Sequence, residues 1–437
     1  MCKETSQIGR SRSSATSSTV RHDNSVPVTP RMCVNSSANP WMGRRLWKES
    51  MGRFAAVSTR IMLALGLLTA LMIDAPAARA SDGAAPSLTG YDGGFFLRGA
   101  DDAFKIRLKG RLQTRFTFMS EDAGPDREAD YAVSIPRARL RVDGHAFSPA
   151  LQYVFQMELG GGFTYLRDYY VDAGLLPGVL HLQVGQFRRP FSRQHLTSSG
   201  SQEFVDRAIT DRAFGAGRDL GLMLHNDLWG SPTFEWAVGL FNGFGDRPTF
   251  SGEVTNGTIT RGGWSNVPDK FKPMAVVRVG YNYGGIRGYR EADLEGGGLR
   301  FALGLSGKAA FNAASDDDSF ASAEVDYALK YRGFATTGAF YFGTEQTGGR
   351  FADQAYAGLG MHAQAGYVFS RRYQISARYA LVAPRWDDNV HEVLGVLGVY
   401  FFGHDVKLQI DGGALLREEL GVTRTDGRVR AQLQFQF

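Results

Sequence analysis

The feature that most constrains this chain is a period of two. Leu151, Tyr153, Phe155, Met157 and Leu159 alternate with Gln152, Val154, Gln156 and Glu158. In an extended strand this sends apolar side chains to one face and mostly polar ones to the other. The same phase returns in Val277/Val279/Tyr281/Tyr283 around Arg278 and Asn282, and in Val325/Tyr327/Leu329/Tyr331 around Asp326 and Lys330. It appears again in Tyr373/Ile375/Ala377/Tyr379 and in Val406/Leu408/Ile410, and the chain ends on it with Val429, Ala431, Leu433, Phe435 and Phe437. Sixteen such runs are predicted, starting near residues 104, 132, 150, 165, 179, 219, 232, 271, 298, 320, 334, 355, 373, 392, 405 and 428.

The connectors sort by length. Ser148-Pro149, Pro177-Gly178, Arg332-Gly333, Ser370 to Arg372 and Gly403-His404 read as tight turns, all after even-numbered strands. Residues 120–131, 188–218, 243–270, 344–354, 383–391 and 417–427 read as longer loops, all after odd-numbered ones. An even strand count with short turns at one end and longer loops at the other is the pattern of an outer-membrane barrel. One connector departs from it: residues 284–297 belong to the short side and are long. A secreted β-sandwich also alternates, but it has no need of the aromatic side chains found at strand ends, Phe116/Phe118, Tyr281/Tyr283, Phe340/Phe342, Tyr367/Phe369 and Phe401/Phe402. These read as girdles at two membrane interfaces.

The N-terminal part has another character. Arg53 and Arg60 precede an apolar run from Ile61 to Ile73, and Ala78-Arg79-Ala80 closes it, the order of a secretory signal peptide over residues 51–80 with cleavage after Ala80. Thirteen apolar residues fall short of the roughly 20 that a spanning helix needs. Residues 1–50 lack apolar periodicity and read as a disordered extension or a mis-assigned start before Met51. Residues 81–103 then form a short periplasmic segment, and 104–437 the barrel. The net charge of +5 belongs to the exported part: residues 81–437 hold 38 basic and 40 acidic residues. Nucleic acid is therefore not an expected partner. Both cysteines, Cys2 and Cys33, also lie outside the barrel.

With apolar faces toward lipid, the other faces line a lumen and decide what passes. The run from 104 puts Lys105, Arg107, Lys109, Arg111 and Arg115 there, and the run from 132 adds Arg137, Arg139 and Arg141. Against these eight cations the two runs offer one carboxylate, Asp143, so ordinary cross-strand pairing does not neutralise them. Two readings stay open: a solvated wall, or an anion path in which guanidinium groups lower the barrier and offer bidentate donors. The excess of 31 Arg over seven Lys in residues 81–437 favours the second. The connector 188–218 adds Arg188, Arg189, Arg193, Arg207, Arg212 and Arg218 against Glu203, Asp206 and Asp211. A loop of this length is either an outward surface loop or one folded inward to narrow a pore.

Residues 91–116, SIPRARLRVDG (134–144), LRDYYVDAGL with LHLQVGQFRRPFSRQHLTSS (166–199) and FVDRAITDRAFGAGRDLGLML (204–224) resemble the phosphate-selective porin O/P family. The resemblance implies an all-β fold, a 16-stranded antiparallel transmembrane β-barrel with an inward-folded third long loop. It also implies a homotrimer in a Gram-negative outer membrane, in contact with lipid and lipopolysaccharide, and a basic ladder passing small anions such as phosphate. Leu433, Phe435 and Phe437 would be the signal read by the barrel-assembly machinery. Members known for phosphate specificity place lysines at the constriction, and residues 188–218 contain none.

A barrel with a hydrolase site, a surface adhesin and a non-selective pore are the alternatives. No G-x-S-x-G is present, Gly304-Leu305-Ser306-Gly307 falling short of it, and no H-x-x-x-H pair suggests a metal. Asp316, Asp317 and Asp318 read as a solvated loop, or as a bridge through divalent ions to surface lipid phosphates, in preference to a dedicated Ca²⁺ site. No catalytic residue, cofactor or metal is assigned.

Overall fold

The computed structural model describes residues 88–122, 124, 127–162, 164–243, 245, 249–255, 258–265, 273–310, 320–344, 357–385, 387–419 and 421–437. The expected extension 1–50, the export segment 51–80 and Asp316 to Asp318 lie outside the described residues. The strands are β1 (Thr89–Tyr91), β2 (Phe95–Arg98), β3 (Phe104–Asp122), β4 (Arg127–Ala146), β5 (Ser148–Glu158), β6 (Tyr165–Leu176), β7 (Leu180–Arg188), β8 (Arg218–His225), β9 (Phe234–Phe241), β10 (Thr249–Thr255) and β11 (Thr258–Ser265). There follow β12 (Met274–Tyr283), β13 (Arg300–Ala310), β14 (Phe320–Tyr331), β15 (Phe334–Gly343), β16 (Gly358–Phe369), β17 (Tyr373–Pro384), β18 (Val390–Phe402), β19 (Val406–Glu419) and β20 (Val422–Gln436). Two short helices, α1 (Arg193–Leu196) and α2 (Ile209–Phe214), lie between β7 and β8.

Strands β3 to β9 and β12 to β20 pair antiparallel in chain order, and β20 returns to pair with β3, closing a 16-stranded ring. Closure follows from the solvent, because an open edge in hydrocarbon leaves unpaired N–H and C=O groups. The burial pattern is inverted relative to a water-soluble domain: Val325 is 55% exposed while Asp326 beside it is 1% exposed. Leu303, Ile375 and Leu397 are exposed on the outer face, whereas Arg278, Lys407 and Gln434 are buried on the inner one. The aromatic side chains expected as girdles are exposed at strand ends, Phe118, Phe342, Phe369 and Phe402 among them.

Two expected loops are not loops. Residues 120–131 and 417–427 are largely strand, with β3 and β4 paired out to Asp122 and Arg127, and β19 and β20 out to Glu419 and Val422. The backbone ladder continues beyond the apolar band, where no lipid imposes alternation on the side chains. Tight turns close the other rim except at residues 226–233 and 284–299. Arg332 and Gly333 take φ of 49° and 93° between β14 and β15, the left-handed pair that a two-residue hairpin demands.

The wall has one irregularity that bears on the lumen. Gln113 faces Arg137, but Arg115 faces Ser134, so β4 carries an extra residue beside Pro136, which has no N–H to donate. The bulge keeps Arg137, Arg139 and Arg141 on the polar face below it and puts Ser134, instead of Val133, there above it. Hairpin β1–β2 attaches to the same edge of β3 that β20 leaves, with Phe95 opposite Leu108 and Arg98 opposite Lys105.

Candidate functional site

The β7–β8 connector follows the polar face of the wall. The carbonyls of Ser199, Gly200 and Gln202 accept from Gln113 Nε2 (3.4 Å), Gln434 Nε2 (3.1 Å) and Lys407 Nζ (2.7 Å). Arg193 meets Asp326 at 3.1 Å, Ser192 Oγ meets the Tyr341 hydroxyl at 2.8 Å, and Thr210 Oγ1 meets His362 Nδ1 at 3.0 Å. These wall residues come from β3, β20, β19, β14, β15 and β16. Phe191, Phe204, Val205 and Phe214 of the connector are fully buried, so apolar packing as well as polar contact fixes its course.

The connector divides the eight cations expected on the lumen faces. Lys105, Arg107, Lys109, Arg111, Arg139 and Arg141 line a cavity of about 700 Å³ at the short-turn end, with Arg188 joining them. Arg115 and Arg137 instead bind Asp206 of the connector, at 2.8 and 2.6 Å, and Arg430 approaches the same carboxylate at 3.5 Å. The enclosed position of Asp206 would raise its carboxyl, but Arg137, Arg115 and Arg430 outweigh that and hold it below the usual carboxylate range.

The expectation of a single carboxylate on this wall needs correction. Asp143 is shared by Arg107 (2.6 Å), Arg141 (2.8 Å) and Lys109 (3.4 Å). Three further acids arrive from elsewhere in the chain: Asp92, ahead of β2, meets Lys105 and Arg107 at 3.3 Å, Glu158 of β5 meets Arg139 at 2.6 Å, and Asp206 is described above. Glu158 is the cross-strand partner of Arg139 on the next strand, Asp92 lies in the turn of the β1–β2 hairpin beside β3, and only Asp206 is brought in by the course of the connector.

Arg111 stands apart. Its Nε donates to Gln436 Oε1 (2.8 Å), and its two terminal nitrogens donate to the hydroxyls of Ser199 and Ser198, each at 3.1 Å. Among the described residues it has no carboxylate partner. The same holds for Arg188, whose guanidinium bonds the Leu196 carbonyl.

Of the other arginines expected in the constriction, Arg193 and Arg218 are spent on Asp326 and Asp168, at 3.1 and 2.8 Å. Arg207 lies 3.6 Å from Asp211 and donates to the carbonyls of Gln194, His195 and Thr197. Arg189 is fully buried, 3.9 Å from Asp219. Arg212 is exposed. Arg189, Arg193, Arg207 and Arg218 are thus each held against a carboxylate of the barrel or the connector.

Two features escaped the sequence. His181 and His225 are direct cross-strand partners on β7 and β8, stacked with ring centroids 5.1 Å apart, and each meets a different oxygen of Asp172 at 2.9 Å. Among the described residues this is the trio whose atoms are close enough for a metal. His225 Nδ1, however, accepts the Asp227 N–H (3.1 Å), so its Nε2 carries the proton and donates to Asp172 rather than offering a lone pair. The second feature is Tyr289, on the overlong connector before β13. Its hydroxyl donates to Glu235 (2.8 Å) and its ring lies 4.8 Å from the Arg193 guanidinium. The unusual length of that connector was the available signal.

The family model described as phosphate-selective porin O and P matches residues 106–380. No curated protein matches the chain. Among solved structures, the outer membrane channel DcaP of Acinetobacter baumannii is similar at a TM-score of 0.50 and 12% identity, over 77% of this chain and 98% of that one. An anion-selective porin from Comamonas acidovorans is similar at a TM-score of 0.48 and 14% identity, over 76% of this chain and 99% of that one. At 12% identity the likeness to the Acinetobacter channel concerns the fold alone.

Proposed function

The chain belongs to the phosphate-selective porin O and P family, and from that premise we propose that this outer-membrane channel passes small anions in preference to cations, phosphate and related oxyanions among them. The observation that carries the reading is the cavity of about 700 Å³, lined by seven cationic side chains (Lys105, Arg107, Lys109, Arg111, Arg139, Arg141, Arg188) and four carboxylates (Asp143, Asp168, Asp172, Asp227), with Asp92 and Glu158 pairing Lys105, Arg107 and Arg139 from beyond its lining. Arg111 and Arg188, without carboxylate partners, are the groups freest to greet a solute anion. In this reading the β7–β8 connector is the constriction, and Arg115 and Arg137 fix it through Asp206. Diffusion requires no catalytic residue and no cofactor.

A less selective pore is the second reading, favoured by the carboxylates that neutralise most of the ladder. A reversal potential across a planar bilayer under a KCl gradient, followed by phosphate titration, separates the two. Anion preference with phosphate block supports an oxyanion path, anion preference without block a general anion pore, and a cation-selective potential overturns both. Replacing Arg137, Arg139 and Arg141 together by Glu is expected to move selectivity toward cations.

The remaining elements of the reading concern biogenesis. Export by residues 51–80 predicts a mature N-terminus at Ser81, read by N-terminal sequencing. Leu433, Phe435 and Phe437 act as the assembly signal for the barrel-assembly machinery. The barrel works as a homotrimer among lipid and lipopolysaccharide, which native mass spectrometry of the extracted protein tests.

A further inference from the structure

Residues 284–299 join β12 to β13 on the short-turn rim, yet part of the segment is buried: Ile286, Tyr289, Glu291, Ala292 and Asp293 are all at most 7% exposed. They meet the β7–β8 connector, which leaves the wall from the opposite rim. The Glu291 N–H donates to the Ser201 carbonyl (3.2 Å), and the Glu203 N–H donates to Glu291 Oε2 (2.8 Å). Gln364 Nε2, from β16, donates to Glu203 Oε2 (3.2 Å) and to Glu291 Oε2 (2.9 Å). Both acids are buried, and among the described residues Glu203 Oε1 has no hydrogen-bond partner. Two carboxyl groups on two separate segments thus share one amide donor out of reach of water.

We propose that Glu291 is a positioning residue for the constriction: it holds the β7–β8 connector against residues 284–299 while Glu203 carries a proton, and loss of that proton parts the two segments and widens the passage. The inference rests on the reading of residues 188–218 as the constriction. Its physical basis is that two carboxylates sharing a buried site cannot both ionise cheaply. Burial, and then the Glu291 carboxylate, push the Glu203 carboxyl up to about 8.

Lys330 and Lys407 pull the Glu203 carboxyl down from a distance without cancelling its rise, and both are bonded elsewhere. Lys330 of β14 donates to the Ala292 carbonyl (3.0 Å), and Lys407 of β19 to the Gln202 carbonyl (2.7 Å). Neither ammonium forms an ion pair with the two acids among the described residues. Arg378 of β17 is engaged by Glu392 at 2.9 Å and lies over the Phe204 ring. The Tyr400 hydroxyl of β18 is bonded to Gln374. Each lysine therefore ties the backbone of one segment to the wall, while the Glu203 N–H on Glu291 Oε2, the Glu291 N–H on the Ser201 carbonyl and the Gln364 amide tie the segments to each other.

Single-channel conductance of the purified full-length barrel between pH 6 and 9.5 tests this. The expected result is a rise of about 1.5-fold centred near pH 8, as ionisation shifts the population toward the open joint. Glu203→Gln, which cannot ionise, should hold the low-pH conductance throughout. Gln364→Leu, which removes the shared donor and keeps both acids, should show raised conductance already at pH 7. A flat wild-type profile, or a pH-dependent rise that persists in Glu203→Gln, overturns the proposal. Deletion of residues 199–205 distinguishes it from its premise. If the deletion leaves conductance unchanged, the constriction reading itself fails. If it raises conductance while the wild type is flat with pH, only the carboxyl joint fails.

Discussion

Gly110 and Phe437 exchange both backbone hydrogen bonds, each N–H reaching the other's carbonyl at 3.0 Å. This pair continues the β20–β3 ladder one step past the last paired residues, Gln436 and Arg111, and so completes closure of the barrel. The Phe437 ring packs against Gly110, where an added Cβ would meet it at 2.5 Å. Gly110→Val is therefore expected to displace the terminal ring and lower stability by about 1–3 kcal/mol, the usual cost of overpacking. Heat-modifiable gel mobility and a urea midpoint measure it, with Gly110→Ala as the milder step.

Arg111 and Arg107 line the same cavity but differ in company: Arg107 meets Asp143 at 2.6 Å, whereas Arg111 bonds two serine hydroxyls and a glutamine. Arg111→Gln or Arg188→Gln should reduce anion preference more than Arg107→Gln, because the latter leaves Asp143 to Arg141 and Lys109. Reversal potentials of the three variants at one salt gradient give the order. An equal effect at all three positions contradicts the view that carboxylate partners decide which cations act.

Asp206 collects Arg115, Arg137 and Arg430. Asp206→Asn removes one negative charge from the path and leaves three guanidinium groups without their shared partner. The expected outcome is a shift of the reversal potential toward anions, with a noisier open level as the connector loses an anchor. Steeper salt dependence of the selectivity should accompany it, since uncovered charge is what salt screens.

The same carboxylate sets an acid limit. Because its folded value lies below the ordinary one, the stability it contributes is complete above the unfolded value of about 3.9 and is lost as pH falls through the folded value. The constriction should therefore hold its conductance level from pH 7 down to about pH 4 and give way only in stronger acid. Conductance steps recorded between pH 7 and pH 3 check this, and widening that begins near pH 6 would point to a histidine instead.

Much of the architecture was already legible in the chain. Alternation is a local property: a strand side chain faces lipid or lumen according to the parity of its position, so Leu151 to Glu158 or Val429 to Phe437 declare their faces without reference to any partner. Strand number, strand polarity and the long connector 188–218 followed from that periodicity and from turn residues such as Arg332-Gly333. Strand ends did not, because beyond the lipid band the β3–β4 and β19–β20 ladders persist with no demand for apolar alternation.

The sequence by itself thus determined a 16-stranded wall with a basic inner face on β3 and β4. Only the tertiary structure decided which of those charges remain available. Asp206 neutralises Arg115, Arg137 and Arg430, all distant from it in the chain, and Glu203 meets Glu291 across two connectors that share no local signal. Parity is written residue by residue, whereas ion pairing depends on which segments ring closure and inward packing bring within a few ångströms, and no local pattern encodes that.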